Sequence, residues 1–221
     1  MSVSQNNLYD YVKQKLPERI IKQIILQILN GINYLHNLKY IHRDIKPDNI
    51  LLSSKGKIIL TDFDLCRQES KGKDDPMTRT AVTLYYRAPE IFYGDSFYGN
   101  KIDIWSIGCV FAELIIGRPL FKASNELGTL SNIIENIGCP NEENWPGVSK
   151  LPNYLPFSGG EFKLGKILEE GGLSKEGIQI VTQMLMLDPK KRPSCEEFIK
   201  NEYFQKDIAS PDELVKIMNL K

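Results

Sequence analysis

Cysteine and histidine are scarce in this sequence: four cysteines, Cys66, Cys109, Cys139 and Cys195, form no C-x-x-C pair, and there are only two histidines. That spacing argues against a zinc site and leaves the cysteines as reduced thiols. Neither sign of charge is in excess, since Lys plus Arg and Asp plus Glu number 28 each. Bulk attraction to nucleic acid or to an anionic membrane is therefore no basis for a function, and any basic patch has to be local. Long apolar runs are missing too. The longest, Ile102 to Ile116, is too short to span a bilayer and is interrupted by Asp103 and Glu113, so it is expected to be a buried helix. The start, MSVSQNNLYDYVKQKLPER, has neither an apolar core nor a small-residue cleavage site. The expectation is an intracellular protein of the cytoplasm or nucleus, with no nucleic-acid or membrane partner. No internal repeat or low-complexity tract occurs.

What is present suits one packed core, with 42% hydrophobic and 25% charged residues. Between Pro17 and Leu38 the residues Ile20, Ile21, Ile24, Ile25, Ile28, Leu29, Ile32 and Leu35 recur at helical spacing, with Pro17 suited to a first-turn position. Ile50–Leu52 and Lys57–Leu60 are short β-prone runs around Ser-Ser-Lys-Gly and predict a hairpin. Residues 66–80 are polar, charged and aperiodic, which predicts a long surface loop. Further helices are predicted at about 101–116, 125–137, 174–187 and 194–203, with Gly117 and Gly138 as stops and a Ser194/Glu197 capping box. Asn141 to Gly172, rich in Pro, Gly and Asn, is expected to be an irregular connection.

The most informative string is His42-Arg43-Asp44-Ile45-Lys46-Pro47-Asp48-Asn49, set between the long apolar helix and a short strand. It resembles the catalytic loop of eukaryotic protein kinases, and the lysine two residues after the aspartate resembles the serine/threonine class. The chemistry can also be read from the residues. Phosphoryl transfer needs an acceptor for a hydroxyl proton, a cation against developing phosphate charge and an oxygen ligand for magnesium. Asp44, Lys46 and Asn49 supply these within one tight loop.

The resemblance implies further roles. Asp62-Phe63-Asp64 stands where the family has Asp-Phe-Gly, so Asp62 is expected to bind Mg2+ beside Asn49, with Phe63 packed beneath it. Asp64 replaces the glycine, which restricts backbone motion and adds a negative charge near the metal. Glu90 of Ala88-Pro89-Glu90 is expected to pair with the distant Arg192 in the interior, and Asp103 to accept hydrogen bonds from the backbone at His42 and Arg43. Leu51 or Leu52, with Leu52 preferred, is expected to floor the adenine pocket of ATP.

The segments Ala81–Glu90, Glu142–Val148 and Met184–Pro193 resemble cyclin-dependent kinases and their close relatives. By that likeness Thr83 contacts Asp44 and Lys46 at the catalytic centre, and Thr78 is an activating phosphorylation site whose phosphate attracts Arg43 and Arg67. A floor shaped by Ala81, Val82 and Arg87 would favour proline just after the phosphorylated Ser or Thr of a protein substrate. A cyclin-like regulator is the implied partner.

The resemblance runs from about Leu8 to Lys206 and implies a mainly α (α+β) fold, the large C-terminal lobe of a kinase with short hairpins carrying the catalytic and magnesium loops. No G-x-G-x-x-G string and no strand lysine paired with a helix glutamate is found, so the ATP-gripping N-lobe is expected to be absent. The expected division is a kinase C-lobe over 1–206, starting after the hinge, and a C-terminal tail over 207–221. Two functions follow: a serine/threonine kinase truncated at its N-terminus, or an inactive kinase remnant that binds a regulator or substrate protein.

Overall fold

The computed structural model describes residues 6–70, 75–77, 83–157 and 159–220. Apolar side chains at helical spacing drive Glu18–Asn37 (α1) into the interior, where Ile20, Ile21, Ile24, Ile25, Ile28, Leu29 and Ile32 are buried. Pro17 is one position earlier than expected. It is the residue that caps the helix, not part of the first turn.

The strands are short. Asn6–Asn7 (β1), Tyr40–Ile41 (β2), Ile50–Leu52 (β3), Ile58–Leu60 (β4) and Arg67–Gln68 (β5) form two antiparallel sheets, β1-β3-β4 and β2-β5. The predicted hairpin is β3-β4, with Ile50 opposite Leu60 and Leu52 opposite Ile58. Its turn reverses at Gly56, whose φ of 69° is in the left-handed region that only glycine adopts without strain.

After the short helix Pro89–Phe92 (α2) the apolar run becomes Lys101–Ile116 (α3), buried on every side from Ile102 to Leu114. A helix apolar all round belongs in the middle of a domain. Gly108 lets α3 come close to the following helices, since a Cβ there would meet Met184 and Leu185 at 2.8–2.9 Å. Gly117, at φ 75°, ends α3. Glu126–Ile137 (α4) is capped by Asn125 and closed at Gly138. Leu164–Glu170 (α5), Lys175–Met184 (α6), Cys195–Lys200 (α7) and Pro211–Met218 (α8) complete the fold. Helix α1 lies against α3 and α7, and α3 also packs on α6.

Three expectations are corrected. The connection 141–172 contains α5 and a 3-10 turn at Val148–Lys150, because Leu164 and Leu168 find places in the core. The helix predicted over 194–203 divides at Asn201, whose side chain caps a separate turn, Glu202–Phe204. Residues 207–220 are no loose tail. Ser210 and Glu213 form a capping box that starts α8, and Ala209, Leu214, Met218 and Leu220 are buried, with Arg19 of α1 bonded to Glu213. The capping box expected at Ser194 and Glu197 is present. No described helix is long and apolar enough to cross a membrane.

Candidate active site

Topology brings two loops together. Residues 42–49 run from β2 to β3, and residues 61–66 run from β4 to β5. Because β2 pairs with β5 and β3 with β4, both ends of both loops are held side by side.

The first loop is clamped from below by α3. Asp103, in the first turn of that helix and 0% exposed, accepts from the backbone N–H groups of His42 and Arg43, each at 2.9 Å. His36 Nε2 lies 2.8 Å from the same carboxylate. Two charge-assisted bonds to successive amides leave the loop little freedom and hold Arg43 at φ 70°, in the left-handed region that non-glycine residues avoid.

Above the clamp, polar groups converge on Asp44. Lys46 Nζ donates to its Oδ2 at 2.6 Å, Asn49 Nδ2 donates to the same oxygen at 2.9 Å, and Thr83 Oγ1 donates to Oδ1 at 2.9 Å. Lys46 also donates to Thr83 Oγ1 at 3.1 Å, which closes a ring of three side chains, Asp44, Lys46 and Thr83, with Asn49 joined to it through Asp44. Burial by itself raises the Asp44 carboxyl, but the hydrogen bonds from Lys46, Thr83 and Asn49 together with the Lys46 charge hold it below the usual aspartate value. Asp44 is thus a carboxylate at neutral pH. It can orient a hydroxyl by accepting its hydrogen bond, beside a cation able to meet a phosphoryl oxygen.

The second loop is tied to the first through Thr61, whose N–H and hydroxyl both donate to the carbonyl of Asn49, at 3.0 and 3.1 Å. Asp62, next in the chain, has φ 61° and is exposed. Asn49 spends its amide nitrogen on Asp44, so its amide oxygen is turned away from that carboxylate. Asn49 and Asp62 therefore offer two hard oxygen donors from adjoining backbone. That donor set fits Mg2+, which binds few protein ligands and completes its shell with water and phosphate oxygens. Among the described residues no cluster of three or more His, Cys, Asp or Glu suits a metal held by protein alone. Phe63 meets the His42 ring in a tilted contact, 5.0 Å between centroids and 53° between planes, while remaining 46% exposed. Asp64 is exposed in a turn without a positive φ, so its side chain meets no backbone strain where a glycine was expected.

One expectation about the nucleotide floor is corrected. Leu52 is 1% exposed and faces the core with Ile50, whereas Leu51, on the opposite face of β3, is partly accessible. Alternation along a strand makes Leu51 the one that a ligand could touch.

Around this centre the charged residues are engaged. Glu90 and Arg192 form a bidentate pair at 2.7 and 2.8 Å with both groups buried, and Arg192 also donates to the carbonyls of Met186, Leu187 and Lys101 beneath the Trp105 ring. Arg43 donates to Leu65 O and to the Tyr98 hydroxyl, and Arg67 bonds Asp75 and Pro76 O. Thr78, Ala81 and Val82 lie outside the described residues. Arg87 is buried, bonded to Glu126 and set over the Phe92 ring.

The protein kinase domain family model matches residues 2–204. The chain belongs to this family. It is 42% identical over 188 residues to a probable serine/threonine-protein kinase KIN28 homolog of Encephalitozoon cuniculi (strain GB-M1), covering 84% of this chain. The chain spans 58% of that relative's length. It is also similar to a chain in the structure of the CAK complex from Chaetomium thermophilum bound to ATP-gamma-S, with TM-score 0.86 and 31% identity, over 96% of this chain and 68% of that one.

Within this kinase fold two contributors escaped sequence reasoning. His36 supplies the third contact to Asp103, and nothing in its surroundings on α1 distinguishes it from a helix-end histidine. Glu113 is buried and accepts from the Tyr86 hydroxyl at 2.7 Å, while its other oxygen has no hydrogen-bond partner. Burial pushes its carboxyl up to about 7, against the lowering effect of the Tyr86 bond. The available signal is a second carboxylate, after Asp103, inside an apolar helix, which is costly unless something uses it.

Proposed function

We propose that these residues form the large lobe of a serine/threonine protein kinase of the cyclin-dependent type, which transfers the γ-phosphoryl group of ATP to a Ser or Thr hydroxyl of a protein substrate. The observation that carries the reading is the convergence of Lys46, Asn49 and Thr83 on the Asp44 carboxylate. In such a reaction most of the catalysis is positioning and charge stabilisation. Asp44 orients the substrate hydroxyl and receives its proton, Thr83 fixes the Asp44 rotamer, and Lys46 faces the charge of the moving phosphoryl group. Asn49 and Asp62 would hold Mg2+, which when bound neutralises the nucleotide phosphates. Asp103 keeps the loop in register, and the Glu90–Arg192 pair fixes the far end of the segment that carries Thr83.

The adenine and phosphates need a cover from outside the described elements, whose strands make only two small sheets, and the sequence has no G-x-G-x-x-G string. The reading therefore includes a small lobe supplied by a segment other than these residues. A cyclin-like regulator, phosphorylation at Thr78 read by Arg43 and Arg67, and proline after the target residue belong to the same proposal. Similarity to a chain of the CAK complex supports the regulator, while the phosphosite and the proline preference rest on the likeness of the sequence to cyclin-dependent kinases.

Calorimetry of ATP binding with and without Mg2+, on the 221-residue chain and its Asp62→Ala variant, tests the nucleotide half of this reading. Magnesium-dependent binding that Asp62→Ala removes is the expected result. Binding indifferent to magnesium or to Asp62 would return the chain to the other reading, a large-lobe module that holds a regulator or substrate. With a small lobe supplied from a related kinase, Asp44→Ala should lower turnover about 10²–10⁴-fold, and an unchanged rate would refute the role given to Asp44.

A further inference from the structure

The C-terminal end of α3 is ringed by a trough that the candidate active site does not use. Its central stretch, about 400 Å³, is lined by Val12, Lys13, Lys15, Ile115, Ile116 and Arg118 among others. It continues past Arg118 and Ile167 to Lys122 on one side, and past Lys15 and Leu114 to Gly171 on the other. The floor is aliphatic, with Ile115, Ile116 and Ile167 half-buried, and the walls carry four exposed cations: Lys13, Lys15, Arg118 and Lys122.

These cations have no internal work. No ion pair or hydrogen bond joins any of the four side chains to another described residue. The two carboxylates lining the trough leave the cations in excess: Glu18 accepts from Ser174 and Tyr203, and Glu170, exposed and 4.0 Å from Lys166, offsets at most one of the four. In a chain whose charges balance at 28 against 28, this is a local surplus of positive charge around an apolar groove. The partial negative charge at the end of α3 favours a cation nearby, which accounts for Arg118 just beyond the Gly117 cap. It does not account for Lys13, Lys15 and Lys122, which two other segments bring to the same trough.

The geometry points to a docking site for an acidic, extended segment of a partner protein that places an apolar side chain on the isoleucine floor. Charge complementarity selects the acidic partner, and the aliphatic floor selects a peptide over a nucleic acid, since no aromatic ring lines the trough for a base to stack on. Asp103 and Ile116 are at opposite ends of α3, about 20 Å apart at the helical rise of 1.5 Å per residue. A segment held in the trough would leave the catalytic loop free while tethering its protein near it.

Fluorescence anisotropy of a labelled Glu-rich peptide with one central Leu, titrated with the whole chain, tests this without reference to kinase activity. Binding should weaken about tenfold in Lys15→Glu/Arg118→Glu, and it should weaken again with added salt and with Ser in place of the peptide's Leu. Lys15→Gln/Arg118→Gln, checked for an unchanged melting temperature, should give a smaller loss in the same direction. Three results would overturn the proposal: no binding of the peptide, tighter binding of oligothymidine than of the peptide, or charge reversals that lower the melting temperature while the glutamine pair leaves affinity unchanged. The last would assign the cations to the dipole of α3.

Discussion

The two loops of the candidate site are built in opposite ways. In the loop from His42 to Asn49 nearly every side chain is buried; Asp44 is bonded to Lys46 and Asn49, Arg43 to Leu65 O and Tyr98, and two backbone N–H groups to Asp103 of α3. In the loop that follows, Asp62, Phe63 and Asp64 are all exposed, and the attachments to the first loop run through Thr61, the Leu65 carbonyl bonded by Arg43, and one ring contact. On the proposed reading, pre-organisation is concentrated where a proton and a hydroxyl would have to be aligned. Openness is concentrated where a hydrated cation and a nucleotide would have to enter. If this division is correct, breaking buried charges should cost stability, and altering the exposed ones should cost ligand binding but little stability.

The largest loss is expected at the Glu90–Arg192 pair. Removing one partner leaves the other charge buried and alone, so Arg192→Ala should destabilise the chain by about 3–5 kcal/mol. Denaturant unfolding measures this directly. The guanidinium also satisfies three backbone carbonyls, so Glu90→Gln should cost less than Arg192→Ala. A pair of equal losses would mean that the carbonyl contacts contribute nothing.

Next comes Glu113, where pH serves as the probe. Its carboxyl is raised from 4.5 to about 7 in the folded protein, so between those values the folded state keeps a proton that the unfolded state has released. Stability should therefore fall as pH rises through that window, by something on the order of 3 kcal/mol at most, and should level off above it. Glu113→Gln should flatten the fall. A variant whose pH profile follows the parent would place the titration elsewhere.

Asp103→Asn is the third test. The amide can accept from only one of the two backbone N–H groups and turns a donor towards the other, an expected loss of about 2 kcal/mol. Because the clamp holds Asp44 in place, the amide protons of His42 and Arg43 should exchange faster in this variant. Exchange unaltered from the parent would show that the loop holds its shape without α3.

The same division explains what could be read from sequence. Asp44, Lys46 and Asn49 lie within one six-residue string, and Asp62 begins another, so local order exposes them. Leu51 and Leu52 were not separable by composition, since both are apolar and only the packing of β3 decides which face turns inward. Helix α8 does have a legible start, Ser210-Pro211-Asp212-Glu213, but the likeness to kinases ends near Lys206 and so implies no helix beyond it. The Tyr86–Glu113 contact joins residues 27 apart through an apolar helix and has no local pattern at all.

The smallest effect on stability, and the most discriminating, is expected at Asp62. Its φ of 61° carries a backbone cost that aspartate tolerates, glycine removes and alanine increases. Asp62→Gly should therefore match the parent within about 0.5 kcal/mol, while Asp62→Ala loses roughly 1 kcal/mol. If Asp62 is the nucleotide-metal ligand, both variants should nonetheless lose magnesium-dependent ATP binding to the same degree. Binding that tracked stability, retained in the glycine variant and lost in the alanine one, would mean that the shape of the turn matters there and the carboxylate does not. The exposed loop would then be a structural element like the buried one, and the contrast between them would fail.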